Sequence, residues 1–135
     1  MSALRIRVLL IDDFEPWRRY IRSILPEKQY DLIGEAWDGL AGVQKAEELQ
    51  PDLILLDIGL PTLNGIEAAR RIHDVCPTAK IVFLSEQRSR DIAAVALQTG
   101  AHGYVTKSHA RIELSSAIET VLHGGQFLAG DLTDC

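Results

Sequence analysis

Hydrophobic and polar positions follow two different periods along this chain. Five short runs of Ile, Leu and Val are nearly continuous, which is typical of strands covered on both faces of a parallel sheet. The runs lie at residues 6–11, 30–36, 53–56, 81–84 and 103–106. Because the run at 30–36 is the most polar, we expect that strand at an edge of the sheet.

Between these runs the apolar residues recur at steps of three and four, the period of a helix with one buried face. Four such stripes begin at Trp17, Leu40, Ile66 and Leu114. A fifth segment, 91–99, is short and rich in alanine, which predicts the most mobile helix of the set. Prolines or glycines follow each of the five: Pro26, Pro51, Pro77, Gly100 and Gly124. Strict alternation of strand and helix predicts a parallel, doubly wound α/β sheet over residues 1–124, with an irregular tail over 125–135.

Composition narrows the class of protein. With 135 residues, 47% of them hydrophobic, the chain suits one domain with one core. Its 19 acidic and 14 basic residues leave a net charge of −5, which argues against direct nucleic-acid contact. No apolar run is long enough for a membrane span or a secretory signal, so we expect a cytoplasmic protein without membrane contact. Cys76 lies in a helical pattern and predicts a buried thiol; pairing with the terminal Cys135 stays open.

Polar side chains follow most of the apolar runs, where the functional crevice of an open α/β sheet lies. In chain order they are Asp12, Asp13, Asp57, Ser85, Thr106 and Lys107. Taken singly, Asp12 or Asp13 fits a turn former or helix cap as well as a functional carboxylate. Ser85 alone favours a cap or turn, and Lys107 alone favours a solvated or paired charge. Taken together, they predict three carboxylates, a hydroxyl and an amine at one edge of the sheet.

This combination indicates a divalent cation and phosphoryl chemistry. Three gathered carboxylates raise the pKa of at least one of them unless cations offset their charge. Lys107 offsets one charge, and Mg²⁺, which prefers hard oxygen ligands, would offset two more. A carboxylate can form an acyl phosphate, while a metal, an ammonium and a hydroxyl neutralise the phosphoryl oxygens. The sequence has neither a P-loop nor a dinucleotide-binding fingerprint, which disfavours ordinary nucleotide binding.

The chain resembles the receiver domains of two-component response regulators. The resemblance extends from Arg5 to Gly124 and rests on these motifs: Leu10-Ile11-Asp12-Asp13, the block 51–61 with Asn64-Gly65 after it, Ser85, and Gly103-Tyr104-Val105-Thr106-Lys107. It implies a flavodoxin-like sheet of five parallel strands in the order 2-1-3-4-5, with helices on both faces. Segments 100–108 and 124–128 are most similar to regulators with a LuxR/NarL-type helix-turn-helix output domain. We therefore expect residues 125–135 to begin a linker to an output domain that controls transcription.

The resemblance also implies roles for individual residues. Asp57 would accept a phosphoryl group from a phosphohistidine of a sensor histidine kinase. Asp13 and Asp57 would ligate Mg²⁺ directly, Asp12 mostly through water, and Gly59 through its backbone carbonyl. Lys107 would contact the phosphoryl oxygens. The domain would be regulatory rather than an enzyme, with at most self-catalysed phosphorylation and autodephosphorylation.

The resemblance further implies a switch. Ser85 would turn its hydroxyl onto the phosphoryl group, and Tyr104 would swing inward into the space vacated. The alternative for Tyr104 is a half-buried aromatic residue that only packs. The face over residues 91–124 would respond to phosphorylation and mediate a homodimer or contact with the output domain.

Two positions depart from the usual receiver pattern. Glu86 follows Ser85 where a small residue is usual, so we expect it to slow phosphorylation or dephosphorylation; the alternative is a solvated loop residue. Ser108 follows Lys107 where many receivers have proline, so the bond between them is less readily cis. Ser108 can instead cap the last helix.

Two other functions compete with a phospho-accepting switch. One is a receiver-like interaction module that is not phosphorylated, although the acidic pair, Asp57 and Lys107 are all present. The other is a small Mg²⁺-dependent phosphatase with Asp57 as nucleophile. The Asp-x-Asp pattern of haloacid-dehalogenase-like enzymes is missing, because Gly59 lies two residues after Asp57.

Overall fold

A parallel sheet forms the centre of the computed structural model, which describes residues 4–134. Its strands are β1 (Ile6–Ile11), β2 (Tyr30–Ala36), β3 (Leu53–Leu56), β4 (Lys80–Ser85), β5 (Gly103–Thr106) and β6 (Phe127–Leu128). Its helices are α1 (Glu15–Ile24), α2 (Gly39–Leu49), α3 (Gly65–Val75), α4 (Arg90–Leu97) and α5 (Ala110–Leu122). The sheet order is β2-β1-β3-β4-β5-β6. The expected order of the first five strands, with β2 at an edge, is confirmed.

Strands β1 to β5 each contribute to two apolar cores, one on each face of the sheet. Helices α1 and α5 cover one face, and α2, α3 and α4 cover the other. In β3, for example, Ile54 and Leu56 face one core while Leu53 and Leu55 face the other, and all four are fully buried. Burial on both faces explains why the strands appear as continuous apolar runs rather than alternating ones.

The tail differs from its predicted form. The expectation of irregular chain over 125–135 was wrong at Phe127–Leu128, which pair in parallel with β5 as a sixth strand. Beyond it, Ala129 and Leu132 are buried, and Thr133 forms a β-bridge with Ser89. An unpaired edge of β5 would leave backbone groups open to water, and β6 pairs with its first two residues, Gly103 and Tyr104. Cys135 and its possible disulfide lie outside the described residues.

Helix α4 differs slightly from its predicted bounds. It begins at Arg90, one residue before the predicted start, and ends at Leu97, two residues before the predicted end. The Ser89 hydroxyl caps the helix by accepting the Ile92 N–H. Cys76 is buried, as predicted. Between residues 4 and 134 no helix combines the length and the apolar character needed to cross a membrane.

Candidate functional site

The polar residues predicted from the strand ends do come together. Asp12 and Asp13 follow β1, Asp57 follows β3, Ser85 ends β4 and Lys107 follows β5. All except Asp12 line an open cavity of about 370 Å³. Phe14, Ile58, Gly59, Glu86 and Gln87 complete its wall. The carboxyl edge of the sheet therefore holds one continuous polar site.

Three carboxylates lie side by side in this site. One oxygen each from Asp12, Asp13 and Asp57 lies within 4.8 Å of the others. Asp12 is almost fully buried and Asp13 is exposed, while the side chain of Asp57 is 12% exposed. The group therefore extends from the protein interior to the cavity, with Asp57 between the two.

The Lys107 ammonium distinguishes between the carboxylates. Its Nζ lies 2.7 Å from Asp12 Oδ2 but 3.7 Å from Asp57 Oδ2. The indole of Trp17 also faces it, with Nζ 5.1 Å from the ring centroid, a cation–π distance. Lys107 therefore neutralises Asp12 first and leaves the charge of Asp57 only partly offset.

Burial and neighbouring charge shift the titration of Asp57. Burial raises the pKa of this carboxyl to about 6, and the charges of Asp12 and Asp13 add to the rise. The Lys107 ammonium and the Ile58 N–H, which donates to Asp57 Oδ1 at 2.9 Å, act in the opposite direction. The direction agrees with the prediction for one clustered carboxylate, but burial rather than repulsion between the carboxylates is the largest cause. A further cation bound beside Asp57 would favour the ionised form of its carboxyl group.

The donor set fits a hard divalent cation. Asp12 Oδ1 accepts the Phe14 N–H at 2.9 Å, whereas Asp12 Oδ2 is directed to the Lys107 ammonium. The exposed carboxylate of Asp13 and the loop residue Gly59 both line the cavity. Carboxylate and carbonyl oxygens with room for water are the ligands that Mg²⁺ takes in proteins.

Ser85 and Tyr104 meet at one loop residue. The Ser85 hydroxyl accepts the Gln87 N–H at 3.0 Å, and the Tyr104 hydroxyl donates to the Gln87 carbonyl at 2.7 Å. The Tyr104 ring is fully buried rather than half-buried, with its centroid 6.3 Å from that of Phe83. The ring already lies inside the protein in this structure, and its movement stays a prediction.

The backbone around Lys107 answers two questions left open by the sequence. The bond from Lys107 to Ser108 is trans, as is every other peptide bond among residues 4–134. The suggestion that Ser108 caps the last helix was wrong, because α5 begins without a side-chain cap. The Ser108 hydroxyl lies 3.2 Å from Thr106 Oγ1 and 3.0 Å from Asp131 Oδ2.

Sequence reasoning missed Arg18, which holds the loop after β1. Its guanidinium is almost buried and donates to the Asp12 carbonyl at 2.7 Å, to Glu35 at 3.0 Å and to Glu15 at 2.7 Å. On the sequence it is one of three arginines in α1, and its partner Glu35 belongs to another element. Only the fold reveals that this arginine positions Asp12.

Known proteins are similar to this chain over most of its length. The family model of the response regulator receiver domain matches residues 8–119. The transcriptional regulatory protein LnrK of Bacillus subtilis is 33% identical over 129 residues, covering 95% of this chain. The response regulator UvrY of Escherichia coli K12 is 36% identical over 128 residues, covering 94%. The chain spans 59% of the length of each of these relatives.

A solved structure has the same fold along nearly the whole chain. The LuxR-family two-component response regulator from Aurantimonas sp. SI85-9A1 is 34% identical, with a TM-score of 0.88. The match covers 96% of this chain and 93% of that one.

Proposed function

Because the chain belongs to the family of response regulator receiver domains, we propose that Asp57 is its phospho-accepting residue. The family is regulatory rather than a class of conventional enzymes. One observation carries the proposal: the Asp57 carboxylate lines the cavity beside two further carboxylates and within 3.7 Å of the Lys107 ammonium. This arrangement places a nucleophilic oxygen where an incoming phosphoryl group meets positive charge.

In the proposed reaction an Asp57 oxygen attacks the phosphorus of a phosphohistidine on a sensor histidine kinase. A P–O bond forms, the P–N bond breaks, and the departing imidazole keeps the electron pair and takes up a proton. The Lys107 ammonium exchanges part of its contact with Asp12 for the new phosphoryl oxygens. The Ser85 hydroxyl donates to the same oxygens, which biases the loop around Gln87 toward a second arrangement.

We also propose the metal of this reaction. Asp13, Asp57 and the Gly59 carbonyl would hold Mg²⁺ directly, and Asp12 would hold it mostly through water. The bound ion would keep Asp57 ionised and neutralise phosphoryl oxygens.

The wider role is also a proposal. The relatives LnrK and UvrY are a transcriptional regulatory protein and a response regulator. We propose that residues 1–124 form the receiver and residues 125–135 begin a linker, and that the phosphorylated receiver forms a homodimer to control a transcriptional output domain. Contact with DNA would belong to that output domain, and the protein would act in the cytoplasm.

Incubation with acetyl phosphate and Mg²⁺ tests the assignment of Asp57. Intact mass should show one phosphoryl adduct on the wild type and on Asp74→Asn, an exposed carboxylate of α3. Asp57→Asn should show no adduct, because the amide is not a nucleophile.

Three outcomes would contradict the proposal. An adduct that persists in Asp57→Asn would place the acceptor elsewhere. An unlabelled wild type, under conditions that label the UvrY receiver, would favour the interaction module that is not phosphorylated. Continuous release of phosphate from an added phosphoester would favour the phosphatase instead.

Glu86 allows a rate prediction. Its exposed side chain lines the cavity beside Ser85, where its charge opposes an anionic phosphodonor. Glu86→Ala should speed uptake from acetyl phosphate by about two- to fivefold, and added salt should reduce the gain. Glu48→Ala, an exposed carboxylate of α2, serves as the control. Equal rates for Glu86→Ala and wild type at low salt would show that Glu86 is only a solvated loop residue.

A further inference from the structure

The C-terminal segment, residues 127–134, places a carboxylate against the residues that flank Lys107. The Asp131 side chain is 10% exposed. The Thr106 hydroxyl donates to this carboxylate, 2.8 Å from each oxygen, and the Ser108 hydroxyl donates to Oδ2 at 3.0 Å. His109 Nδ1 lies 2.6 Å from the same oxygen. Residues on both sides of Lys107 are therefore anchored to one carboxylate.

The same segment also holds the loop after β4. The Thr133 N–H donates to the Arg88 carbonyl at 2.7 Å, and the Thr133 carbonyl accepts the Arg90 N–H at 2.9 Å. Arg88 Nε donates to the Asp131 carbonyl at 3.3 Å and lies 3.6 Å from Asp131 Oδ2. Arg88 directly follows Gln87, whose backbone forms hydrogen bonds with the hydroxyls of Ser85 and Tyr104. One short segment thus contacts both the loop that follows Ser85 and the residues on either side of Lys107.

The segment has an anchor of its own. Phe127–Leu128 pair with β5, and Ala129 and Leu132 are buried against the core on the α4 side of the sheet. Asp131 lies between these two buried residues, so its carboxylate is held by packing on both sides. Groups that touch reacting atoms are most effective when a surrounding layer of contacts fixes them.

We propose that Asp131 is a positioning residue of the phospho-acceptor site. This inference rests on the proposed function of Asp57 and deepens it. Asp131 acts through Thr106 and Ser108 to hold the backbone of Lys107, and through Arg88 to hold the loop that follows Ser85. The functional unit therefore extends beyond Gly124 to Thr133, and the segment that leads toward the C-terminus contacts the two loops that respond to the phosphoryl group.

Two substitutions at Asp131 test this role. In Asp131→Asn the side chain keeps its shape but loses its charge, and Asp131→Ala removes both side-chain acceptors while the backbone carbonyl that accepts from Arg88 stays. Phosphoryl uptake from acetyl phosphate should fall about tenfold in Asp131→Ala, and less in Asp131→Asn because the amide oxygen still accepts from Thr106. Asp134→Asn, which loses only an exposed ion pair with Arg90, should label at the wild-type rate. The proposal would be overturned if folded Asp131→Ala took up the phosphoryl group at the wild-type rate. If Asp131→Ala does not fold, a wild-type rate in Asp131→Asn would overturn it instead.

A second measurement does not depend on phosphorylation. The Lys107 side chain is 11% exposed, whereas Lys28 is exposed. Limited acetylation with acetic anhydride gives the ratio of the Lys107 rate to the Lys28 rate. This ratio should be higher in Asp131→Asn than in the wild type. Thermal unfolding of both proteins is recorded to show that they are folded. An unchanged ratio would show that Asp131 does not hold Lys107. If the wild type takes up no phosphoryl group but the ratio rises, the proposed function fails and the positioning role of Asp131 stands.

Discussion

Replacement of Gly65 by alanine is expected to destabilise the protein by about 3 kcal/mol, the upper part of the range for overpacked substitutions. An added Cβ would lie 1.9 Å from the Asp57 carbonyl oxygen and 2.7 Å from the Ile58 Cα. Both are backbone atoms, so the loop that carries Asp57 would have to move away from the first turn of α3. We therefore also expect slower phosphoryl uptake by this variant.

Helix propensity alone predicts the opposite sign. Gly65 is the first residue of α3, and alanine is favoured over glycine by up to about 1 kcal/mol in a helix interior. Gly59 provides the matched control, because it lies in the loop between Asp57 and Gly65 and a Cβ there meets nothing within 4 Å. Gly59→Ala should be neutral or stabilising by about 0.4–1 kcal/mol, and its backbone carbonyl is retained.

Urea unfolding of the two variants measures the difference directly. A Gly65→Ala protein as stable as Gly59→Ala would show that the approach of α3 to the Asp57 backbone is not constrained. A loss of stability without slower labelling would show that the loop relaxes without displacing the carboxylate.

The second large effect concerns pH and the metal. In Mg²⁺-free buffer with a chelator, Asp57→Asn should be more stable than the wild type above pH 7, by at most about 3 kcal/mol. The figure converts the rise in the pKa of Asp57, from 3.8 to about 6, into free energy. Near pH 4 the two proteins should differ little, because wild-type Asp57 is then largely protonated in the folded state.

The sign follows from proton linkage. The folded state binds the Asp57 proton more tightly than the unfolded state, so between about pH 4 and pH 6 it holds more protons. The free energy of unfolding of the wild type therefore falls as pH rises through this window, and the Asn variant lacks that fall. Mg²⁺ should restore stability to the wild type at pH 7 more than to Asp57→Asn, since it favours the ionised carboxylate.

Urea unfolding from pH 4 to pH 8, with and without Mg²⁺, gives the comparison. Asp74→Asn controls for the loss of a carboxylate on an exposed surface of α3. A stability gap between Asp57→Asn and wild type that stays constant across this range would contradict the perturbed titration of Asp57.

The strands could be predicted because a strand that is buried on both faces appears in the sequence as an uninterrupted apolar run. Leu53–Leu56 are all buried, so no polar position interrupts the run. The convergence of Asp12, Asp57 and Lys107 followed from the same pattern, because the carboxyl ends of parallel strands meet at one edge. The preference of Lys107 for Asp12 over Asp57 depends on a difference of 1 Å between two contacts, which no sequence pattern encodes.

The tail and the buried arginine were missed for a different reason. Phe127–Leu128 is too short to show a period, and Asp131 lies among residues without a regular pattern. Arg18 acquires its meaning from Glu35 and the Asp12 carbonyl, which reach it only when β1, β2 and α1 pack together. Contacts between elements are properties of the fold rather than of any local stretch of sequence.

The sixth strand has a consequence for self-association. With β6 laid along it, β5 offers no full-length open edge to another molecule, and β6 itself is only two residues long. At the opposite edge, the register between β1 and β2 shifts at Val8 and Leu9, an irregularity of the kind that discourages further pairing. Continuous sheets that run from one copy into the next are therefore disfavoured at both ends. Two receivers that meet would do so through side chains on their helices, where single charge substitutions can tune the strength of the contact.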